Sequence, residues 1–345
     1  MQMQSDSHSF LKESFLIKIK RMLKAVSYLR YFDMRVFIAK EFNIISNASL
    51  KSKQSLDRAI LIYLKKEYGY LLKRYNSEWS EHLEKPINAP IWVFWWQGFE
   101  DMPDIIKVCQ RSIEIFSSNH PVVLLTKDNI KQYVNLSKEI WQRYELGEIR
   151  IQHLADIIRV KLIRDFGGLW LDASVFCTKP IPEEYFNKFF YSIRKPNTPE
   201  EDDYNISLNR WTTFVIGGWK NNILCSFLSD FFDEYCKKER YFVDYFLFDC
   251  AIALAYENIH AAKSLIDELP VISEDYYIIS RYLQNSADDE LLEKIYNQGF
   301  VFNKISYGKC NELMTDNSLY KFLRDGKFFE KSQCDNSGLQ CKKLS

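Results

Sequence analysis

No two of the eight cysteines stand in C-x-x-C spacing; Cys109, Cys177, Cys225, Cys236, Cys250, Cys310, Cys334 and Cys341 are scattered along the chain. Zinc sites built on paired thiolates and a disulfide framework are therefore unsupported, and the cysteines read as reduced thiols of a cytoplasmic protein. With five histidines, no Ser-His-Asp order and no G-x-x-x-x-G-K-[ST] loop, hydrolase, metalloprotease and P-loop readings lack residues to carry them. Charge of one sign is missing too: 46 basic and 46 acidic side chains cancel, which argues against a nucleic-acid partner. The longest apolar runs, such as 91–96 and 251–256, fall far short of the roughly 20 residues that a membrane-spanning helix requires. No cleavable signal peptide is visible. What the chain has in quantity is aromatic residues, 21 Tyr and 25 Phe among them, which suits a large mixed core or a site that stacks flat rings and sugars.

The composition changes along the chain. Residues 1–85 hold one glycine and no proline, and their apolar residues recur at helical spacing, which predicts a helical N-terminal appendage. Over 15–29, Phe15, Leu16, Ile19, Met22, Leu23, Val26 and Leu29 share one side of a helical wheel, with Lys20, Arg21 and Lys24 opposite. Eight Lys/Arg against two acids over residues 8–40 fit an anionic membrane surface, or else the apolar face packs on the rest of the protein. The first alternative makes the protein peripheral on the inner face of the cell membrane. Over 86–325, β-rich runs at 91–96, 122–126, 169–176, 189–193 and 213–216 alternate with helical patterns, clearest at 103–116 and 153–165. This predicts an α/β domain with a mainly parallel sheet covered by helices. Residues 197–209 read as a polar, acidic loop and 326–345 as a polar tail.

The most informative string runs from His153-Leu-Ala-Asp156-Ile-Ile-Arg159 through Gly167-Gly168 to Leu169-Trp-Leu-Asp172-Ala-Ser174. It reads as a helix leading into a strand: Asp156 and Arg159 share a helix face, and the strand presents Asp172 and Ser174 on one side. Ligands of open α/β sheets sit at the carboxyl ends of the strands, where Asp172 would face a metal-bound diphosphate. A carboxylate there can hold Mg²⁺ or Mn²⁺, and Ser174 would be its weaker partner. Asp-x-Ser alone is equally a turn former. A second string, Ile91-Trp92-Val-Phe-Trp95-Trp96-Gln97-Gly98, lies upstream.

Together these strings resemble the capsular polysaccharide synthesis family of glycosyltransferases, and more distantly the sugar transferases and large clostridial toxins with A-D-x-x-R…G-G-x-Y-x-D-x-D. The resemblance covers about residues 88–260 and is carried by Asp156, Arg159, Gly167, Gly168 and Asp172. It implies a GT-A, Rossmann-like fold, a nucleotide-diphosphate sugar donor such as a UDP-sugar, and retention of anomeric configuration. It further implies that Trp96 stacks on the donor base, that Asp156 and Arg159 bind the donor sugar, and that Asp172 faces ribose and metal. Ser174 stands where relatives carry a second Asp as direct ligand of Mn²⁺ or Mg²⁺. Gly168, Gly217 and Gly218 would let the backbone approach the donor, with the two glycines after Trp211-Thr-Thr-Phe-Val-Ile equally open to a structural role. Lys304, Tyr307 and Lys309 would close over the diphosphate.

Asp244 and Asp249, in an aromatic helical setting, are candidates for binding the acceptor, or else lie on a helix surface. His153 reads as structural. The function expected is transfer of a sugar to a glycan or lipid-linked saccharide in surface polysaccharide synthesis. A toxin-like transferase acting on protein, and a donor-binding scaffold without turnover, stay open as alternatives.

Overall fold

The computed structural model describes residues 29–77, 82–196, 204–309 and 315–330. Apart from Leu29, the amphipathic segment 15–29 lies outside them, as do 197–203 of the acidic loop and residues from 331; the tail expected from 326 begins instead inside the core, where Phe328 and Phe329 are buried against Phe176.

Two helices come first. Asp33 caps α1 (Met34–Ile45), accepting from the Val36 amide at 3.0 Å. The 28-residue α2 (Leu50–Ser77) buries Leu56, Ile60, Tyr63, Leu64, Tyr68 and Leu71, at the three- and four-residue spacing of one helix face. The remaining elements are β1 (Ile91–Phe94), α3 (Asp104–Ile115), β2 (Val122–Leu125), α4 (Ile130–Tyr133), α5 (Lys138–Glu145), α6 (Ile151–Phe166), β3 (Gly168–Leu171), β4 (Val175–Cys177), β5 (Phe190–Ser192) and β6 (Val215–Gly218). They continue with α7 (Ile223–Lys238), α8 (Leu247–Asn258), α9 (His260–Asp267), α10 (Ile278–Tyr282), α11 (Asp289–Tyr296), β7 (Phe302–Lys304) and α12 (Leu319–Arg324). No helix among the described residues is long and apolar enough to cross a membrane.

The central sheet has the order β2-β1-β3-β6-β5. β1 runs parallel to β2 and β3, and β6 runs antiparallel to both β3 and β5, so four strands point one way and β6 alone points back. The sheet is thus parallel-rich, as the strand-helix alternation predicts. The run expected at 169–176 is not one strand. The chain leaves the sheet at Asp172 and turns, the Val175 amide donating to the Asp172 carbonyl at 2.8 Å, and then enters β4, which pairs with β7 in a separate antiparallel ribbon.

Alternate residues of each strand feed different cores, as the two-residue period of a strand requires. Trp92, Phe94, Trp170 and Ile216 pack with α2, α6, α7 and α8. Ile91, Val93, Leu169, Leu171 and Val215 pack with α3, the β4–β7 ribbon and the C-terminal helices. α2 belongs to the first core, its Tyr68 ring meeting Phe231 of α7 edge-on at 5.0 Å. The Tyr75 hydroxyl donates to Asp230 on the same helix at 2.8 Å.

Candidate active site

The carboxyl ends of β1 and β3 open into a crevice of about 700 Å³, within the usual range for small-molecule sites. Asp156 and Arg159 enter it from α6, Asp172 and Ser174 from the turn after β3, and Trp95 and Trp96 from the end of β1. Lys304 comes from β7, and the β4–β7 register explains how: Val175 pairs with Lys304, which carries that side chain back to the start of the ribbon where Asp172 stands.

Asp172 is the hub. Its Oδ2 accepts from Lys304 Nζ at 2.6 Å and its Oδ1 from Trp170 Nε1 at 2.9 Å, with Arg159 Nη2 at 3.7 Å. Arg159 also pairs with Asp156 at 3.1 Å and donates to the Thr213 carbonyl. Its guanidinium carbon lies over the rings of both Trp170 and Phe248, 5.0 Å from each centroid. Planar cations are attracted to aromatic faces in this way, and the two contacts help to hold the fork.

The carboxylates are driven apart electrostatically. Burial acts to raise Asp172, but Lys304 and then Arg159, with the Lys304 and Trp170 hydrogen bonds, draw its pKa down to about 2. Burial lifts Asp156 to about 7 against the attraction of Arg159, with Asp249 and Asp172 adding to the rise. Asp249 is likewise raised by burial, opposed by its hydrogen bond from Trp211 and by Arg159. At neutral pH Asp172 is an anion while Asp156 is poised to gain or lose a proton, the pattern that separates an electrostatic anchor from a proton-exchanging group.

Not every expected residue arrives. Gly168, Gly217 and Gly218 sit at the opposite end of the strands: Gly168 opens β3 and pairs with Gly218, and Asp172 lies beyond the other end, roughly 10 Å or more away at strand rise. Their smallness serves packing. A Cβ on Gly168, whose φ is +95°, would come within 2.2 Å of the Pro90 carbonyl oxygen. One on Gly217 would come within 2.6 Å of the Gly168 carbonyl oxygen, and one on Gly218 within 2.4 Å of that of Phe189. Lys309 closes a 3-10 turn begun by Tyr307, and its side chain lies outside the described residues. Trp96 lines the crevice but is also held by Tyr144 and Trp141, at 5.0 and 6.5 Å between centroids. His153 stacks on Phe242 at 4.0 Å, a packing role.

Trp95 is the residue that the motif reading passed over. It lines the crevice opposite Tyr307, 6.0 Å between centroids, and its buried Nε1 has no hydrogen-bond partner among the described residues. Both tryptophans follow directly on β1 at the strand's carboxyl end, and that position is the signal in the sequence that could have found Trp95.

A sequence model of the capsular polysaccharide synthesis proteins matches residues 40–323, and the chain belongs to that family. The chain is also similar to the O-glycosyltransferase braB of Annulohypoxylon truncatum, 28% identical over 123 residues. That alignment spans 32% of this chain and 28% of the fungal protein.

Proposed function

We propose that the chain is a glycosyltransferase of GT-A fold that moves a sugar from a nucleotide-diphosphate sugar, a UDP-sugar, to a glycan or lipid-linked saccharide in capsular or other surface polysaccharide synthesis. The observation that carries this is the convergence of Arg159 and Lys304 on Asp172 in a crevice at the strand carboxyl ends, with Trp95 and Trp96 at one side. Membership of the capsule family and similarity to a protein named as an O-glycosyltransferase support it. In this reading the indole rings take the base, Arg159 and Lys304 offset the charge of the leaving diphosphate, and Asp156 orients the sugar. Transfer proceeds with retention. The acceptor hydroxyl oxygen bonds to the anomeric carbon on the face from which the diphosphate departs, the carbon–oxygen bond to phosphate breaks with its electron pair going to the phosphate, and that oxygen takes the hydroxyl proton.

A divalent cation would draw on Asp172 and Ser174. As arranged, these residues do not form a cage for one: an ammonium group occupies Asp172 Oδ2, an indole N–H occupies Oδ1, and the second position is a buried hydroxyl rather than a carboxylate. No step is therefore routed through Mn²⁺ or Mg²⁺. A peripheral position on the inner membrane face belongs to the same reading. It is supported by the basic segment 8–40 and by the exposed Met34, Ile38 and Ile45 of α1 beside exposed Arg35.

The test is release of free nucleoside diphosphate from UDP-, GDP- and TDP-sugars, in Mn²⁺ and in EDTA, by wild type and Asp172→Ala. Turnover of one donor, lost in the variant, is the expected result. If no donor binds or is turned over, the catalytic reading fails and a binding scaffold replaces it.

A further inference from the structure

A second cavity, of about 660 Å³, opens beside the crevice and shares Thr213, Phe246 and Asp249 with it. Its walls come from the α1–α2 hairpin, from the segment leading into β6 and from Tyr276 and Tyr277 ahead of α10. The two spaces meet at the Asp156–Arg159 end of the crevice. Arg159 donates to the Thr213 carbonyl and packs on Phe248, the neighbour of Asp249. If the nucleotide lies along Trp95 and Trp96, the reacting sugar lies at this junction.

The chemistry of the lining narrows its ligand. Asp57 Oδ2 accepts from the Tyr204 hydroxyl at 2.9 Å, and Asp249 Oδ1 accepts from Trp211 Nε1 at 2.9 Å. An ionised carboxylate has about four acceptor sites, so both retain capacity for a ligand hydroxyl. The Thr212 Oγ1, on the same wall, is buried with no hydrogen-bond partner among the described residues. Phe246 and Tyr277 are large exposed rings at this cavity. Flat apolar faces alternating with hydroxyl-accepting carboxylates match a sugar ring, whose C–H face stacks while its hydroxyl edge donates. Asp57, Asp244 and Asp249 share the lining with Lys53 and Lys195, and Lys40 pairs with Asp244 at 3.0 Å, so the wall carries both signs and its hydroxyl-accepting carboxylates, not a net charge, set its preference. The enclosed volume suits a short saccharide and not the surface of a folded protein.

We propose that this second cavity is the acceptor subsite, that it seats a short saccharide between Tyr277 and Asp57, and that Asp249 at the junction accepts a hydrogen bond from the hydroxyl to be glycosylated. The proposal rests on the glycosyltransferase reading and adds to it the acceptor's seat.

The full-length protein is tested by saturation-transfer NMR with the neutral disaccharides lactose, cellobiose and chitobiose as probes, and UDP titrated separately. At least one neutral disaccharide is expected to bind, to stay bound in saturating UDP, and to weaken about tenfold in Asp57→Asn and in Tyr277→Ala, as loss of a charged hydrogen bond or a stacking ring implies. UDP affinity should be the same in both variants as in wild type, which also shows that they are folded. The proposal is overturned if no neutral disaccharide binds, if UDP displaces it, or if both variants bind it as wild type does. Failure of the wild type to bind UDP would instead count against the donor reading, and the disaccharide results would still judge the cavity.

Discussion

Replacing Lys304 by methionine removes the ammonium group 2.6 Å from Asp172 Oδ2 and leaves that carboxylate with Trp170 Nε1 at 2.9 Å and Arg159 at 3.7 Å. In the native protein Asp172 is drawn from its ordinary 3.8 to about 2. That depression is worth about 2 kcal/mol of folding stability. Because the folded-state pKa is lowered, this stability is fully present above about pH 4 and fades as the pH falls toward about 2. Without Lys304, burial, the largest influence on Asp172, is opposed chiefly by Arg159, and the carboxyl titrates higher. The variant should therefore be less stable by about 2 kcal/mol at pH 7, with the gap narrowing on acidification and closing only as the pH nears the native value of about 2. Urea unfolding followed by tryptophan fluorescence at pH 7, 5 and 3 measures the gap directly, and Lys304→Arg should restore most of it. A gap below about 0.5 kcal/mol at pH 7, the size of an exposed ion pair, would refute the coupling, as would a gap at pH 3 no smaller than that at pH 7.

Three further outcomes are expected. Asp156, raised to about 7, makes the native protein lose stability as the pH climbs from about 4 to 7; Asp156→Asn should match wild type at pH 4 and exceed it by a few kcal/mol at pH 8, and parallel stability curves would contradict the assignment. Gly168→Ala should lower stability by roughly 3 kcal/mol through its clash with Pro90, read as an urea midpoint, while UDP affinity of the folded protein is retained; a loss of affinity at unchanged stability would return Gly168 to the donor site. Removing residues 1–40 should abolish sedimentation with phosphatidylserine vesicles but leave the weak background with phosphatidylcholine, and undiminished sedimentation would dispose of the membrane-surface reading.

The sheet was legible because its strands are short β-branched and aromatic runs closed by proline or glycine, and α3 and α6 because their apolar spacing is helical. What escaped was decided by partners far along the chain. The β-rich run 169–176 breaks at Asp172 because Val175 pairs with Lys304, a contact across more than a hundred residues that leaves no local trace. Asp156, Arg159, Asp172 and Ser174 could be grouped because a helix and the following turn already bring them close in sequence. The glycines at 168, 217 and 218 could not be separated from ligand-binding glycines, since the sequence shows that a side chain is missing and not what fills its place. Trp95 was readable from its place next to Trp96 at the carboxyl end of β1, where ligands of open α/β sheets sit.

The burial of α2 bears on how the chain can be cut or recombined. Tyr68 and Tyr75 of α2 cover Phe231 and Phe227 of α7, so a gene shortened to begin at residue 86 would encode a product with these two phenylalanine rings bare to water. Such a surface is that of an aggregating intermediate. Any exchange of the sheet between relatives must carry the hairpin with it, which makes α2, α7 and α8 a unit of inheritance that the linear order of the chain conceals.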